Sequence, residues 1–235
     1  TVNGFMTKKP DFMTIPKIVC NAEIIDLFPA LRLGLLVSPV KVEKGSLGFD
    51  QQRKEILENA AKLEAEAIRN LPPVKSVKEA YKALGKDPNR YRPAAESLLR
   101  RISQGKGLYT VNNVVDCLNL TSVQTGFSIC GYDRDKIEGT IHLGVGEADE
   151  LYEGIGRGQL NIENLPVFRD DQGAFGTPTS DSKRTLVGYE TQHVLMVIPA
   201  FEGDASSLSK TLDLLSDYLK RFVAHAEPKT EIIEA

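Results

Sequence analysis

The hydrophobic period changes three times along this 235-residue chain, and the order of those changes limits the fold more than any single motif. A helix buries every third or fourth residue, and a strand buries alternate residues. Lys17 to Cys20 reads as a short strand, and NAEIIDLFP as a helical turn ending before Pro29, since a residue preceding proline is driven out of the α region. Leu31 to Val42 reads as a strand in which Pro39 marks an edge or a bulge. From Gly48 the period lengthens. Ile56, Ala60, Leu63 and Ala67 form one apolar stripe on a helix ending near Leu71, with Lys54, Glu58, Lys62 and Glu66 on its solvated face, and Pro72-Pro73 stops it. A second helix is expected over Val77 to Leu84 with Gly85 closing it, a third behind Pro93 with Leu98, Leu99 and Ile102 inward, and a fourth over Val111 to Val123.

After Gly126 the period shortens to that of strands in FSICGYD, TIHLGVG, PVFRDD and HVLMVIPAF. Leu208, Leu212, Leu215, Leu219 and Phe222 then mark a last helix behind a Ser206/Ser207 cap. Strand, helices, strands, helix is an α+β order, not a βαβ alternation. The expected map is an N-terminal arm over 1–15, one domain over 16–225 and a charged, frayed tail over 226–235. Within the domain, 48–110 is a helical insert and 111–200 the core.

Composition removes several function classes. Hydrophobic residues make up 41% and charged residues 26%, as in ordinary globular domains. No apolar run approaches the roughly 20 residues that span a bilayer, so no membrane partner is expected. Cys20, Cys117 and Cys130 are three, widely spaced and without a CxxC pair, which fits a reducing compartment and a cytoplasmic protein rather than a disulfide framework or a zinc site. No motif asks for a cofactor or a metal. The formal net charge of −3 is not that of a dedicated nucleic-acid binder, so any RNA contact has to come from a local patch.

Most local motifs read as structure. GIGRG, residues 154–158, lacks the spacing of a phosphate loop and is a turn. His142, His193 and His225 stand alone, and Cys130 has no histidine partner, which reads as a buried inert thiol. Two stretches remain open. NNVVDCLN puts Asn112, Asp116 and Asn119 on one helical face, either as capping chemistry or as the polar wall of a pocket. Lys86, Arg90, Arg92, Arg100, Arg101 and Lys106, with Tyr91 and Tyr109 between them, are either a solvated, acid-paired helix surface or a patch for phosphates and unpaired bases.

VNNVVDCLNLTSVQTGFSICGYDRDKIEG, introduced by KDPNRYRPAAESLLRR, resembles the signature of the editing module of the phenylalanyl-tRNA synthetase β-subunit, in the manner of its free-standing homologues. The resemblance covers about 87–197 and is weaker beyond Gly139. It implies a three-layer β/β/α sandwich and a pocket for the 3′ end of a mischarged tRNA, hence an RNA-binding protein that hydrolyses its ligand in trans as an aminoacyl-tRNA deacylase. The alternative on the same fold is a non-catalytic protein for a free amino acid or related small molecule. The resemblance points to Asn112, Asn119, Cys130, Tyr132 and Asp133 for the pocket wall and to Ala174, Gly176 and Thr177 for its floor. It leaves the catalytic residues and oligomeric state open. Three positions depart from the pattern: Cys130 stands where the family has histidine, Met196 where it has glutamate and Tyr109 where it has arginine.

Overall fold

In the computed structural model, residues 12–45, 49–201 and 205–235 are described. Most of the expected N-terminal arm, and Gly48 at the first change of period, lie outside them. The elements run β1 (Ile18–Cys20), α1 (Ala22–Leu27), β2 (Arg32–Pro39), α2 (Asp50–Ala60), α3 (Ala65–Asn70), α4 (Pro72–Ala83), α5 (Ala94–Ser103) and α6 (Asn113–Thr125). They continue β3 (Cys130–Asp133), β4 (Ile141–Val145), β5 (Glu153–Gly154), β6 (Gly158–Gln159), β7 (Pro166–Asp170), β8 (Gly173–Gly176), β9 (His193–Ala200), α7 (Ala205–Phe222) and β10 (Lys229–Glu234). This is an α+β fold.

Two four-stranded sheets stack. One has the order β10-β2-β9-β3 and is antiparallel throughout; the other has the order β1-β4-β7-β8 with a single parallel pair, β1 and β4. The period of two in β9 shows why the first sheet lies in the middle. Val194, Met196, Ile198 and Ala200 enter one core with residues of α2, α5, α6 and α7, while Leu195 and Val197 enter a second core with β4, β7 and β8. β2 does the same, with Leu33, Leu35 and Val37 toward the second sheet and Leu36 toward the helices. Both faces of the middle sheet are therefore buried, and the layers run sheet, sheet, helices. At Gly34 the missing side chain is a packing requirement, because a Cβ there would come within 2.9 Å of Leu208 Cδ1 on α7.

The terminal helix forms as its heptad-like spacing requires. Leu208, Leu212, Leu215 and Leu219 are buried against the middle sheet, each contributing about 2 kcal/mol, while Phe222 is half-buried.

Four local expectations change. The stripe expected for one helix is divided into α2 and α3 by a turn at residues 61–64. On a continuous helix Ile68 would point about 120° from Ile56; the break restarts the helix so that both are buried, and Ala67 turns to solvent. Pro72-Pro73 do not merely stop a helix but open α4, where a missing N–H costs nothing. Pro39 sits on an inner strand, at its end, not on an edge. The tail expected to fray supplies β10, which pairs along six residues with β2 and half-buries Ile232 and Ile233.

Candidate functional site

A cavity of about 890 Å³ opens between the β3 edge of the middle sheet, helices α5 and α6, and the segment that follows β8. Its apolar wall is made by Val114 and Leu118 of α6, Ile129 and Met196. Gly131 of β3 faces Leu118 so closely that a Cβ would displace that leucine, which keeps the strand open to the helix at this point.

The polar stripe of α6 divides between two jobs. Asn112 is the N-cap: its Oδ1 accepts from Val115 N at 2.9 Å and its Nδ2 donates to Val187 O at 3.2 Å. Asn113 Oδ1 accepts from Glu43 N, its Nδ2 donates to Lys41 O, and Asp116 Oδ1 accepts from Val111 N. These three side chains fix the helix start and its flanking loops. Asn112 thus serves as a cap and does not line the cavity. Asn119, two turns further on, is half-buried, lines the cavity and has no protein partner among the described residues.

The other residues expected at the site also separate. Cys130 and Thr177 line the cavity. The Cys130 thiol is buried, donates to Thr177 O at 3.7 Å, and is held well above the ordinary thiol range by burial, so it is a poor nucleophile. Thr177 Oγ1 closes a turn, donating to Ser180 O and accepting from Thr179 N and Ser180 N, each at 3.2 Å. Tyr132, Asp133, Ala174 and Gly176 are outside the lining. Tyr132, on the same face of β3 as Cys130, points between the sheets, edge-on to Phe175 at 4.8 Å. Asp133 is used by Thr191 Oγ1, Asp135 N and Lys136. Ala174 lies on β8, and the small size of Gly176 makes room for the Tyr132 phenol rather than for a ligand.

The basic residues gather at the cavity. Arg92, Arg100, Arg101 and Lys106 line it, joined by Arg157 from the β5–β6 turn, whereas Arg90 lies over the Tyr91 ring and stays outside. Arg101 stacks on Tyr109 at 3.9 Å, and Arg53 holds the loop bearing that tyrosine through Thr110 Oγ1 and Leu108 O. Tyr109, Val111, Ile155 and Leu186 are exposed large apolar residues that also line the cavity. Arg100 has an ion pair with Glu96 at 3.8 Å, but Glu96 is shared with Lys78 at 3.0 Å.

Asp181 is a candidate site residue that the sequence did not single out. It is the one carboxyl among the cavity-lining residues. Its Oδ2 accepts from Gly131 N at 2.9 Å, while Oδ1 is buried without a partner, as is the Tyr132 hydroxyl beside it. Burial pushes the Asp181 carboxyl up to about 7, against the opposing hydrogen bond from Gly131 N–H. Tyr152 donates to Ser180 O at 2.6 Å and Tyr81 shares a hydrogen bond with Thr179 at 2.8 Å, so the segment carrying Asp181 is anchored from the inner core. The only sequence signal was a lone acid in the polar run TPTSDS.

Among the described residues no group of three His, Cys, Asp or Glu side chains is placed to hold a metal, and no helix is long and apolar enough to cross a membrane.

The chain is similar to proteins of known kind in three comparisons. The beta subunit of phenylalanine–tRNA ligase from Leifsonia xyli subsp. xyli (strain CTCB07) is 27% identical over 156 residues, which take in 64% of this chain and 18% of that subunit. The chain therefore spans under a fifth of the length of the curated relative it matches. The crystal structure of an N-terminal fragment of the phenylalanyl-tRNA synthetase beta subunit from Pyrococcus horikoshii aligns over 93% of this chain and 52% of the fragment, with a TM-score of 0.48 and 13% identity. Residues 76–231, from within α4 into β10, match the family model of the B3/4 domain, and the chain belongs to that family.

Proposed function

We propose that the cavity receives the aminoacylated 3′ end of a tRNA and that the protein hydrolyses mischarged aminoacyl-tRNA in trans, as a cytoplasmic activity. The observation that carries this reading is the charge of the cavity. Five cationic residues and a single carboxyl line it in a chain whose net charge is −3. Such a local concentration draws phosphate, and Tyr109, 55% exposed and backed by Arg101, offers a face on which an unpaired base can stack. The similarity to a phenylalanine–tRNA ligase subunit supports the same class of ligand.

The chemistry is ester hydrolysis. Water adds to the aminoacyl carbonyl, the carbon–oxygen bond to the ribose breaks, the ribose oxygen takes a proton, and a free amino acid leaves. Such a reaction needs donors aimed at the developing oxyanion, and the unengaged amide of Asn119 is the side chain best placed to serve there. Purified protein is expected to accelerate deacylation of at least one member of a panel of mischarged tRNAs, Tyr-tRNA(Phe) included, by a factor of about 100 over buffer, with Asn119→Ala losing most of that gain. No acceleration for any member overturns the hydrolytic reading.

One observation favours a second reading, a non-catalytic binder of an amino acid or related small molecule. The lining has thioether and thiol at Met196 and Cys130, and neither is a base at neutral pH. Stabilisation by a free amino acid, with no deacylation and no tRNA binding at any salt concentration, would select it.

A further inference from the structure

Among the described residues, the buried carboxyl groups lie beside cations, with one exception. Glu96 has Lys78 and Arg100, Asp133 has Lys136, and Asp170 has Arg184 at 2.7 Å. Asp116 accepts from Val111 N and lies in the field of Arg53. Glu96, Asp133 and Asp170 thus have a cation in contact, and Asp116 has one nearby, as the cost of burying an unpaired charge requires. Asp181 has none among the described residues. The groups facing it are the Gly131 N–H, the Cys130 thiol, and the Tyr132 and Tyr152 hydroxyls, all neutral when protonated. Nothing in the fold of the middle sheet needs a carboxyl here, since an amide oxygen would accept from Gly131 N equally well.

The exception lies in the cavity wall. From this we infer that Asp181 is a specificity-determining residue that takes the ammonium group of the ligand as its missing counter-charge, and that the group is the α-ammonium of an aminoacyl moiety. This rests on the reading of the cavity as a site for an aminoacylated RNA end. It adds a polarity to that site: phosphate goes to the cations of α5 and its following loop, and the ammonium goes to the carboxyl after β8. The raised affinity of Asp181 for its proton is what a buried carboxyl without its partner should show, and an ammonium in contact with it would drive that proton off. A ligand with the acyl group but no amine would leave the carboxyl as it is and gain nothing from it.

The test uses amide-linked, non-hydrolysable 3′-aminoacyl derivatives of adenosine 5′-monophosphate carrying glycyl, alanyl, phenylalanyl and tyrosyl groups, each paired with the same molecule lacking the α-amine. Binding is measured by calorimetry to the whole protein and to Asp181→Asn, which keeps an oxygen for Gly131 N–H. For the tightest-binding pair, removal of the amine is expected to weaken binding to the unaltered protein at least about tenfold, and binding to Asp181→Asn less than about twofold, the range of a desolvated charge contact. Equal binding of amine and amine-free forms to the unaltered protein overturns the role of Asp181 and leaves the RNA-end reading standing. Failure of every derivative to bind overturns that reading, and this inference with it. Equal binding of the two forms to the unaltered protein overturns the inference even if the Asn variant does not fold.

Discussion

Asp181→Asn is expected to stabilise the protein more at pH 8 than at pH 5, by about 2.5 kcal/mol in the difference of unfolding free energies. Burial pushes the native carboxyl up to about 7, while the unfolded chain titrates near the ordinary value of 3.8. Between those two values the native state holds a proton that the unfolded state has released. Stability therefore falls as pH rises through this window, by about 1.4 kcal/mol per pH unit, and levels off above the native value. Below the unfolded value both states are protonated and the cost disappears. This is the reverse of the familiar salt-bridged aspartate, whose contribution is lost on acidification. Replacement by Asn removes the titration and keeps the acceptor for Gly131 N–H. Urea unfolding of the two proteins at a series of pH values gives two curves that should diverge from about pH 4 to pH 7. Parallel curves would mean that the carboxyl is not desolvated in the native protein.

The second large effect is structural. Gly176→Ala is expected to destabilise the protein by about 3 kcal/mol or more, the upper range of core overpacking. A Cβ at that position would overlap the hydroxyl oxygen and two ring carbons of Tyr132. The ring cannot retreat, because it is fully buried between Phe168 and Phe175. The phenol oxygen has no hydrogen-bond partner among the described residues, so Tyr132→Phe alone should cost less than about 1 kcal/mol. Combining the two removes the nearest overlap, and the pair should show a favourable coupling of more than about 1 kcal/mol in a double-mutant cycle. A Gly176→Ala protein within about 1 kcal/mol of the original would contradict the assignment of this glycine to packing.

The fold was legible in the sequence where a period is long and uninterrupted. The leucines of α7, the alternation of β9 and the strand–helices–strands–helix order all specify their structures directly, since each repeats one face over several turns or pleats. The failures occur where long-range pairing decides. Residues 229–234 carry too much charge to look like a strand, yet β2 offers a complete ladder for them. The division of α2 from α3 depends on which residues the core can accept, not on local propensity.

The site was legible in part, for a similar reason. Asn119, Cys130 and Thr177 meet at one cavity because the 13-residue helix α6 and strand β3 carry two of them there in register. Tyr132 shares the inter-sheet face of β3 with Cys130 but is packed between Phe168 and Phe175, outside the cavity lining, and Asn112 is used up as a cap. Asp181 and Arg157 come from loops whose position is set by tertiary hydrogen bonds, such as Ile155 N to Asp181 O and Ser182 N to Phe175 O. No periodicity in a loop points to its partner across the fold.

The central claim is that this cavity takes the charged end of an RNA. It is tested most directly by titrating a labelled acceptor-stem minihelix, with and without a non-hydrolysable 3′-aminoacyl group, over a range of salt concentrations. The aminoacylated form should bind at least about tenfold more tightly than the bare one, and its log affinity should fall with log salt. Arg100→Ala with Arg101→Ala should flatten that slope by about 1.4, the release expected from two single-strand phosphate contacts. Equal affinity for both RNAs, or an affinity indifferent to salt and to the two arginines, would contradict the claim.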